Sequence, residues 1–367
     1  MTNTRDWDPE KGRISFWQAL AMIIIVGLAT TDILVPTIIA DLSGRDAWLT
    51  VLTSTAWAIL MVALALSLAR RMGHRNVIQY ARDVLGKWPG GLVAFFYVFF
   101  FISQAALAMQ NFHTIMMTVF YIKTPDIVFD LLIMLVILYA VSSGLEPVSR
   151  LNEILLPLGV GILLLVGVMA LEEVKPAEFL PVLAEGAGPV FSGSLRLTVY
   201  LAQGAVIFLM LYPYIRKKGE NLLHASIAVA TLGLMMLVGV MAIGVFGIGA
   251  TADMRFVALE LVRNINVGGF VQNLDALMMA IWYGGIVAKM IILFYLACLG
   301  LAQWLGLQTY RPLLLPLGVL LAAYSSIMFD NPNETVFFIT MVEPGWNMTA
   351  LLFIPAVLLT ISFLKRQ

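Results

Sequence analysis

Apolar runs of about twenty residues, separated by short polar connections, recur along the whole 367-residue chain. About 20 apolar residues make one membrane crossing. On that measure ten spans are expected near 14–40, 47–69, 91–121, 126–143, 154–171, 187–214, 222–249, 273–304, 311–329 and 346–364. Such runs are too long for barrel strands, and a bilayer core offers backbone N–H and C=O groups no outside partner, so each span is expected to be helical. The expected fold class is therefore all-α, a polytopic membrane protein with about ten transmembrane helices. The connection near 250–272 alternates apolar Phe256, Leu259 and Val262 with polar Arg255, Glu260 and Arg263, the pattern of a short amphipathic helix.

Composition reinforces this picture. The chain is 61% hydrophobic and 12% charged, with a mean hydropathy of +0.93, far from the mixture of water-soluble domains. The apolar runs follow one another without a soluble insert, so residues 1–367 read as a single membrane-embedded permease-like domain. The polar start, Met1 to Arg13, precedes an apolar run too long for a signal-peptide core, so the first span is expected to be retained. Formal net charge is zero, which gives no basic field for a nucleic acid. Single Cys298 excludes an internal disulfide framework and a multi-cysteine metal site. No Ser/His/Asp constellation, zinc spacing or Gly-rich phosphate loop is visible, so neither enzymatic chemistry nor a metal or cofactor is expected.

Charge then orients the spans. With the N-terminus inside, the cytoplasmic connections carry Arg5, Lys11, Arg13, Arg70, Arg71, Arg75, Arg82, Lys87, Arg150, Arg216, Lys217, Lys218, Arg311, Lys365 and Arg366. The opposite connections carry only Arg45, Lys123, Lys175, Arg255 and Arg263. Positive residues favour the cytoplasmic side, so both termini are expected there.

Two spans carry a glycine and a proline at the same separation: Gly27 to Pro36 in the first, Gly204 to Pro213 in the sixth. Spans five apart run in opposite directions. The match suggests a five-plus-five inverted repeat, about 14–171 and 187–364, with broken helices 1 and 6 meeting near the midplane around a substrate. Glycine and proline are also simply common in membrane helices, which is the competing explanation. A break exposes amides that suit a carboxylate and carbonyls that suit an ammonium, so an α-amino acid is the ligand class that fits. In the first break, Ala29-Thr30-Thr31 combines small side chains with two hydroxyls; the alternative is that the threonines only satisfy carbonyls freed locally.

Ionisable groups within the hydrocarbon cost at least ~2.5–3.5 kcal/mol and mark functional interiors. Asp32 and Lys289 are the two singled out here. They pair either for coupling or only to lock helices. Gly285, one turn from Lys289, allows another helix to approach closely. In the third span Ser103, Gln104, Gln110 and Asn111 gather on one face, while His113 lies slightly off the stripe and reads as a hydrogen-bonded core histidine rather than a proton carrier. The candidate binding set is therefore Gly27, Ala29, Thr30, Thr31, Gln104, Asn111, Gln203 and Gly204, with Asp32 and Lys289 as coupling or structural charges.

Several longer segments resemble one family. Arg150-Leu-Asn-Glu-Ile-Leu-Leu-Pro157, Phe179-Leu-Pro-Val-Leu-Ala-Glu-Gly-Ala-Gly-Pro189, Phe208-Leu-Met-Leu-Tyr-Pro213, Leu259-Glu-Leu-Val-Arg-Asn-Ile-Asn-Val-Gly-Gly-Phe270 and the Ile281-Trp282 to Lys289 stretch are similar, in order, to the permease-like B subunits of spore-germination nutrient receptors. The resemblance implies the fold of the amino acid–polyamine–organocation superfamily. It also implies recognition of a small germinant such as an amino acid, and assembly with an A-type and a lipoprotein C-type subunit in the spore inner membrane. In that fold the eighth helix runs beside the first helix's break, where sodium-coupled relatives hold an ion, and Lys289 would place its ammonium there. The chain departs from the family pattern in having Gln203-Gly204 where many relatives carry Gly-Glu, and Ala29-Thr30-Thr31 in place of a Gly-rich break. Two functional classes stay open, a germinant-receptor subunit and an amino acid transporter coupled to protons.

Overall fold

The computed structural model describes residues 9–116, 126–216, 222–254, 256–264, 274–329 and 331–365, with the backbone alone at 30–34, 126–127, 274–275 and 332–333. The ten expected spans appear in order as helices. They are α1 (Phe16–Ser43), α2 (Ala47–Met72), α4 (Lys87–Ile115), α5 (Asp126–Ser142), α6 (Leu145–Ala170), the pair α7 (Gly188–Leu201) and α8 (Gly204–Leu211), α9 (Leu222–Phe246), α12 (Leu274–Leu305), α13 (Leu314–Ile327), and a tenth span built from α14 (Pro332–Phe337), α15 (Glu343–Met348) and α16 (Ile354–Leu364). Among the described residues, seven helical stretches are long and apolar enough to cross a membrane, and three shorter apolar helices accompany them. The chain is a polytopic all-α membrane protein.

Local signals set the ends. Ser15 caps α1: its hydroxyl accepts from the Gln18 amide while the Gln18 side chain accepts from the Ser15 amide, so two orphan donors are satisfied reciprocally. Asn76 and Gln79 form the same device at the start of α3 (Val77–Leu85), a connecting helix that the hydropathy reading passed over as a polar loop. Its Val77, Ile78, Ala81 and Val84 are buried, and Gly86, at φ +91, turns the chain back so that α3 packs along α4. Contact there is backbone to backbone: a Cβ on Gly90 would lie 2.5 Å from Arg82 Cα. The connection expected as an amphipathic helix forms α10 (Ile248–Asp253) and α11 (Val257–Asn264), with Leu259 and Val262 buried and Arg263 exposed; Arg255 lies outside the described residues.

Where the chain enters, the segment before α1 lies across the end of the sixth span. The Ile14 amide donates to the Tyr214 carbonyl (3.0 Å) and the Arg216 amide donates to the Ile14 carbonyl (2.9 Å). Tyr295 of α12 donates its hydroxyl to Glu10 Oε2 at 2.8 Å, which joins this segment to the eighth span as well.

Of the two expected helix breaks, one is present and one needs correction. The sixth span is interrupted: α7 ends at Leu201 and α8 begins at Gly204, and Tyr212–Tyr214 continues as a 3-10 turn. The first span is not. α1 runs as helix from Phe16 to Ser43 with Pro36 inside it. A proline removes one hydrogen bond, and packed neighbours can absorb that in a membrane helix. Gly27 serves close packing instead: a Cβ there would lie 2.7 Å from Leu232 Cδ1 of α9.

Candidate functional site

The interruption at Ala202-Gln203 sits where α4, α12 and the tenth span converge. Within the break the helical pattern tightens, with the Gln203 amide donating to the Tyr200 carbonyl (3.3 Å) and the Ala205 amide to the Ala202 carbonyl (2.8 Å). Gln203 is 2% exposed. Its Oε1 accepts from Lys289 Nζ of α12 at 3.3 Å, while its amide nitrogen Nε2 is buried without an acceptor among the described residues. Lys289 is 4% exposed, buried among the side chains of the core.

The tenth span brings a carboxylate to the same region. Glu343 is 3% exposed. Its Oε2 accepts from the Tyr200 hydroxyl (3.0 Å) and its Oε1 from Asn347 Nδ2 (3.4 Å). The one Tyr200 proton is shared with the Ile339 carbonyl at 2.7 Å. That carbonyl belongs to a π-helical stretch, Phe338–Val342, one of two that flank α15; the other is Thr349–Phe353. Such bulges displace a backbone carbonyl from the regular ladder and are frequent at functional sites. Gln104 Nε2 donates to Asn347 Oδ1 at 2.7 Å, and Trp346 Nε1 donates to Ser103 Oγ at 3.3 Å. Lys289 and Glu343 are thus tied to residues three apart in sequence at the break, Gln203 and Tyr200.

Three of the expected residues are thus brought together: Gln104, Gln203 and Lys289. Ala29 is buried beside Gly285, whose added Cβ would lie 3.6 Å from the Ala29 Cβ, and both border an apolar cavity with Ile25, Gly159 and Trp282 rather than the polar group. Gly204 is a packing glycine, pressed on Ile23 of α1, and Gly27 faces α9. Asn111 is buried further along α4, and none of these hydrogen bonds includes it. The side chains of Thr30, Thr31 and Asp32 lie outside the described residues, so the expected Lys289–Asp32 pair does too.

Sequence reasoning missed Glu343, Asn347 and Tyr200. The sequence pattern starts the tenth span at Trp346, three residues past Glu343. In the structure the helix runs on through Pro344, directly after the π-helical stretch Phe338–Val342. The available signal was the apolar stretch Val336-Phe337-Phe338-Ile339 before it, which makes Glu343 an acid inside a span. Asp130 was missed in the same way. It is 1% exposed in α5 and contacts His113 Nε2 of α4, while its Oδ2 accepts from Ser326 Oγ of α13 at 3.2 Å. His113 is thus a core histidine set against the Asp130 carboxyl group, with no hydrogen bond formed between Nε2 and Oδ1. Among the described residues no group of His, Cys, Asp and Glu is placed to hold a metal ion.

A broken apolar helix, with a buried lysine, acid and amides gathered at the break, defines a membrane protein of the transporter-fold class. Solved structures agree on the fold. MhsT in complex with L-phenylalanine matches with a TM-score of 0.65 at 16% identity, covering 98% of this chain and all of that one. A substrate-bound, outward-open Na+-coupled sialic acid symporter matches with a TM-score of 0.68 at 12% identity, covering 99% of this chain and 81% of that one. Within this class the chain belongs to the spore germination protein family, whose model matches residues 13–335. It is similar to spore germination protein KB of Bacillus subtilis (strain 168), 29% identical over 89% of this chain and 87% of the relative. It is also similar to spore germination protein YndE of the same organism, 25% identical over 88% and 89%. The chain is therefore a permease-like germination protein of the membrane and not an enzyme.

Proposed function

We propose that this chain is the ligand-binding membrane subunit of a nutrient germinant receptor in the spore inner membrane, and that it holds an amino acid at the break of the sixth span. The observation that carries the proposal is the Lys289–Gln203 hydrogen bond, which puts an ammonium and an amide at the one place where the helix is interrupted. Both groups are buried, so their polarity has been retained at a cost that a binding role explains. Family membership supports the germination context, and the likeness to a transporter that holds L-phenylalanine makes an amino acid a reasonable occupant of this fold.

In this reading ligand binding shifts a conformational equilibrium that A-type and C-type subunits read. The chain acts as one membrane-embedded domain of two opposed halves, about 14–171 and 187–364, with N- and C-termini cytoplasmic. The second reading, an amino acid transporter coupled to protons, is favoured by the transporter fold itself. Equilibrium binding of the twenty amino acids to purified protein, followed by flux of the best binder into proteoliposomes, tests both. Saturable binding without flux supports the receptor; flux coupled to a proton gradient supports the transporter; binding of no amino acid contradicts both.

A further inference from the structure

The proposed site carries one positive and one negative side chain, and they are anchored to opposite sides of a single helical turn. Lys289 bonds to Gln203 within the break, and Glu343 bonds to Tyr200, three residues earlier. Across the break the Gln203 amide donates to the Tyr200 carbonyl at 3.3 Å, so the two anchoring residues are a single tightened turn apart. The break therefore presents a donor side and an acceptor side at close range. The donor side has a second group: Gln203 Nε2 is buried and donates to nothing among the described residues, although Oε1 of the same side chain is engaged by Lys289. The amide orientation follows from chemistry, because an ammonium has no acceptor and must face the oxygen. A buried N–H without a partner costs about 1–3 kcal/mol, so an acceptor brought by a ligand would relieve it.

The acceptor side is preorganised. Glu343 accepts from Tyr200 and Asn347, and a carboxylate has about four lone-pair positions. Two neutral donors hold it in place and leave room for a further donor. From these features we infer that Glu343 is the ammonium-recognising residue of the site, and that the occupant is an α-amino acid zwitterion whose carboxylate accepts from Gln203 Nε2 and Lys289 while its ammonium donates to Glu343. The inference rests on the reading above that the break binds a small molecule, and it narrows the ligand to one that carries both charges on one carbon. A free carboxylic acid would leave Glu343 facing an apolar group, and a simple amine would leave Gln203 Nε2 unpaired. Each penalty is the kind that a buried polar site uses to reject an analogue lacking one group.

The test uses purified full-length protein and nine probes: L-alanine, L-leucine and L-phenylalanine, the acid lacking the ammonium in each case, and the amine lacking the carboxylate. In at least one series the amino acid should bind at least tenfold more tightly than either single-charge analogue. Glu343→Gln should cut the preference for the amino acid over its acid to less than threefold while the acid binds as before or better. Should Glu343→Gln fail to fold, Glu343→Asp keeps the charge on a shorter arm; it should retain the preference for the amino acid with weaker affinity overall. Equal weakening of amino acid and acid in Glu343→Gln, or an Asp variant that has lost the preference, would show a structural role and overturn the inference while leaving the amino acid site standing. Binding of none of the nine by the wild-type protein would overturn the inference, and binding of none of the twenty amino acids would overturn the reading it rests on as well.

Discussion

Substituting Gly204 by alanine tests whether the sixth-span break is seated directly on the first span. A Cβ at Gly204 would lie 2.1 Å from Ile23 Cγ2 and 3.2 Å from Ile23 Cβ, against the 3.4 Å at which ordinary contact begins. The methyl must therefore retreat by at least 1.3 Å. Isoleucine is branched at Cβ and stiff about χ1, so Cγ2 cannot swing away by itself, and α1 or α8 has to move. Overpacking of this kind costs typically ~1–3 kcal/mol, and a clash this deep belongs in the upper part of that range. Alanine also gains up to about 1 kcal/mol of helix propensity over glycine. The net expectation is a loss of about 1–2 kcal/mol, read as a shift in equilibrium unfolding of purified protein in mixed micelles. Ile23→Ala removes the offending methyl. In that background Gly204→Ala should be close to neutral, because the 3.2 Å approach to the remaining Cβ needs a shift of only about 0.2 Å and is set against the propensity gain. The same cost in both backgrounds would mean that α1 and α8 do not meet at these two residues, and the reasoning would fail.

Gly90→Ala should be the more damaging glycine substitution. Its Cβ would meet Arg82 Cα at 2.5 Å and the Ala81 carbonyl at 2.7 Å, backbone that cannot give, so a loss of about 3 kcal/mol in the same unfolding assay is expected. His113→Leu strands the buried Asp130 carboxylate and should cost about 3–5 kcal/mol, while the added change Asp130→Leu should recover most of it; additive losses in the unfolding cycle would remove the pair. For orientation, in a Cys298→Ala background, a cysteine at Lys175 should react with an impermeant thiol reagent from outside intact cells and one at Arg70 should not. The reverse pattern contradicts cytoplasmic termini.

What was legible in the sequence is what the bilayer dictates. Span length and apolarity follow from hydrocarbon thickness, so the ten helices could be found in order, although the fifth begins nine residues and the tenth fourteen residues before the expected starts at 154 and 346. Lys289 stood out because an ammonium in an apolar run has few explanations, and Gln203-Gly204 stood out beside a matched proline. The remainder depended on contacts that no local pattern encodes. Gly27 and Pro36 look like a break in one dimension, yet Gly27 is there to receive Leu232, and the helix continues. Glu343 was hidden because the helix of the tenth span continues through Pro344-Gly345 after a π-bulge. His113 and Asp130 are assigned to each other only once α4 and α5 are packed. Local chemistry announces which groups are buried, and tertiary packing decides which of them meet.

The central claim is that a small molecule occupies the break between Gln203 and Lys289. Its most direct test is a cryo-electron microscopy structure of the purified protein with the amino acid that binds most tightly in the panel. The account predicts ligand density within hydrogen-bonding distance of Gln203 Nε2 and Lys289 Nζ, with the density lost in Lys289→Met. Density elsewhere in the fold, or undiminished density in Lys289→Met, would contradict it.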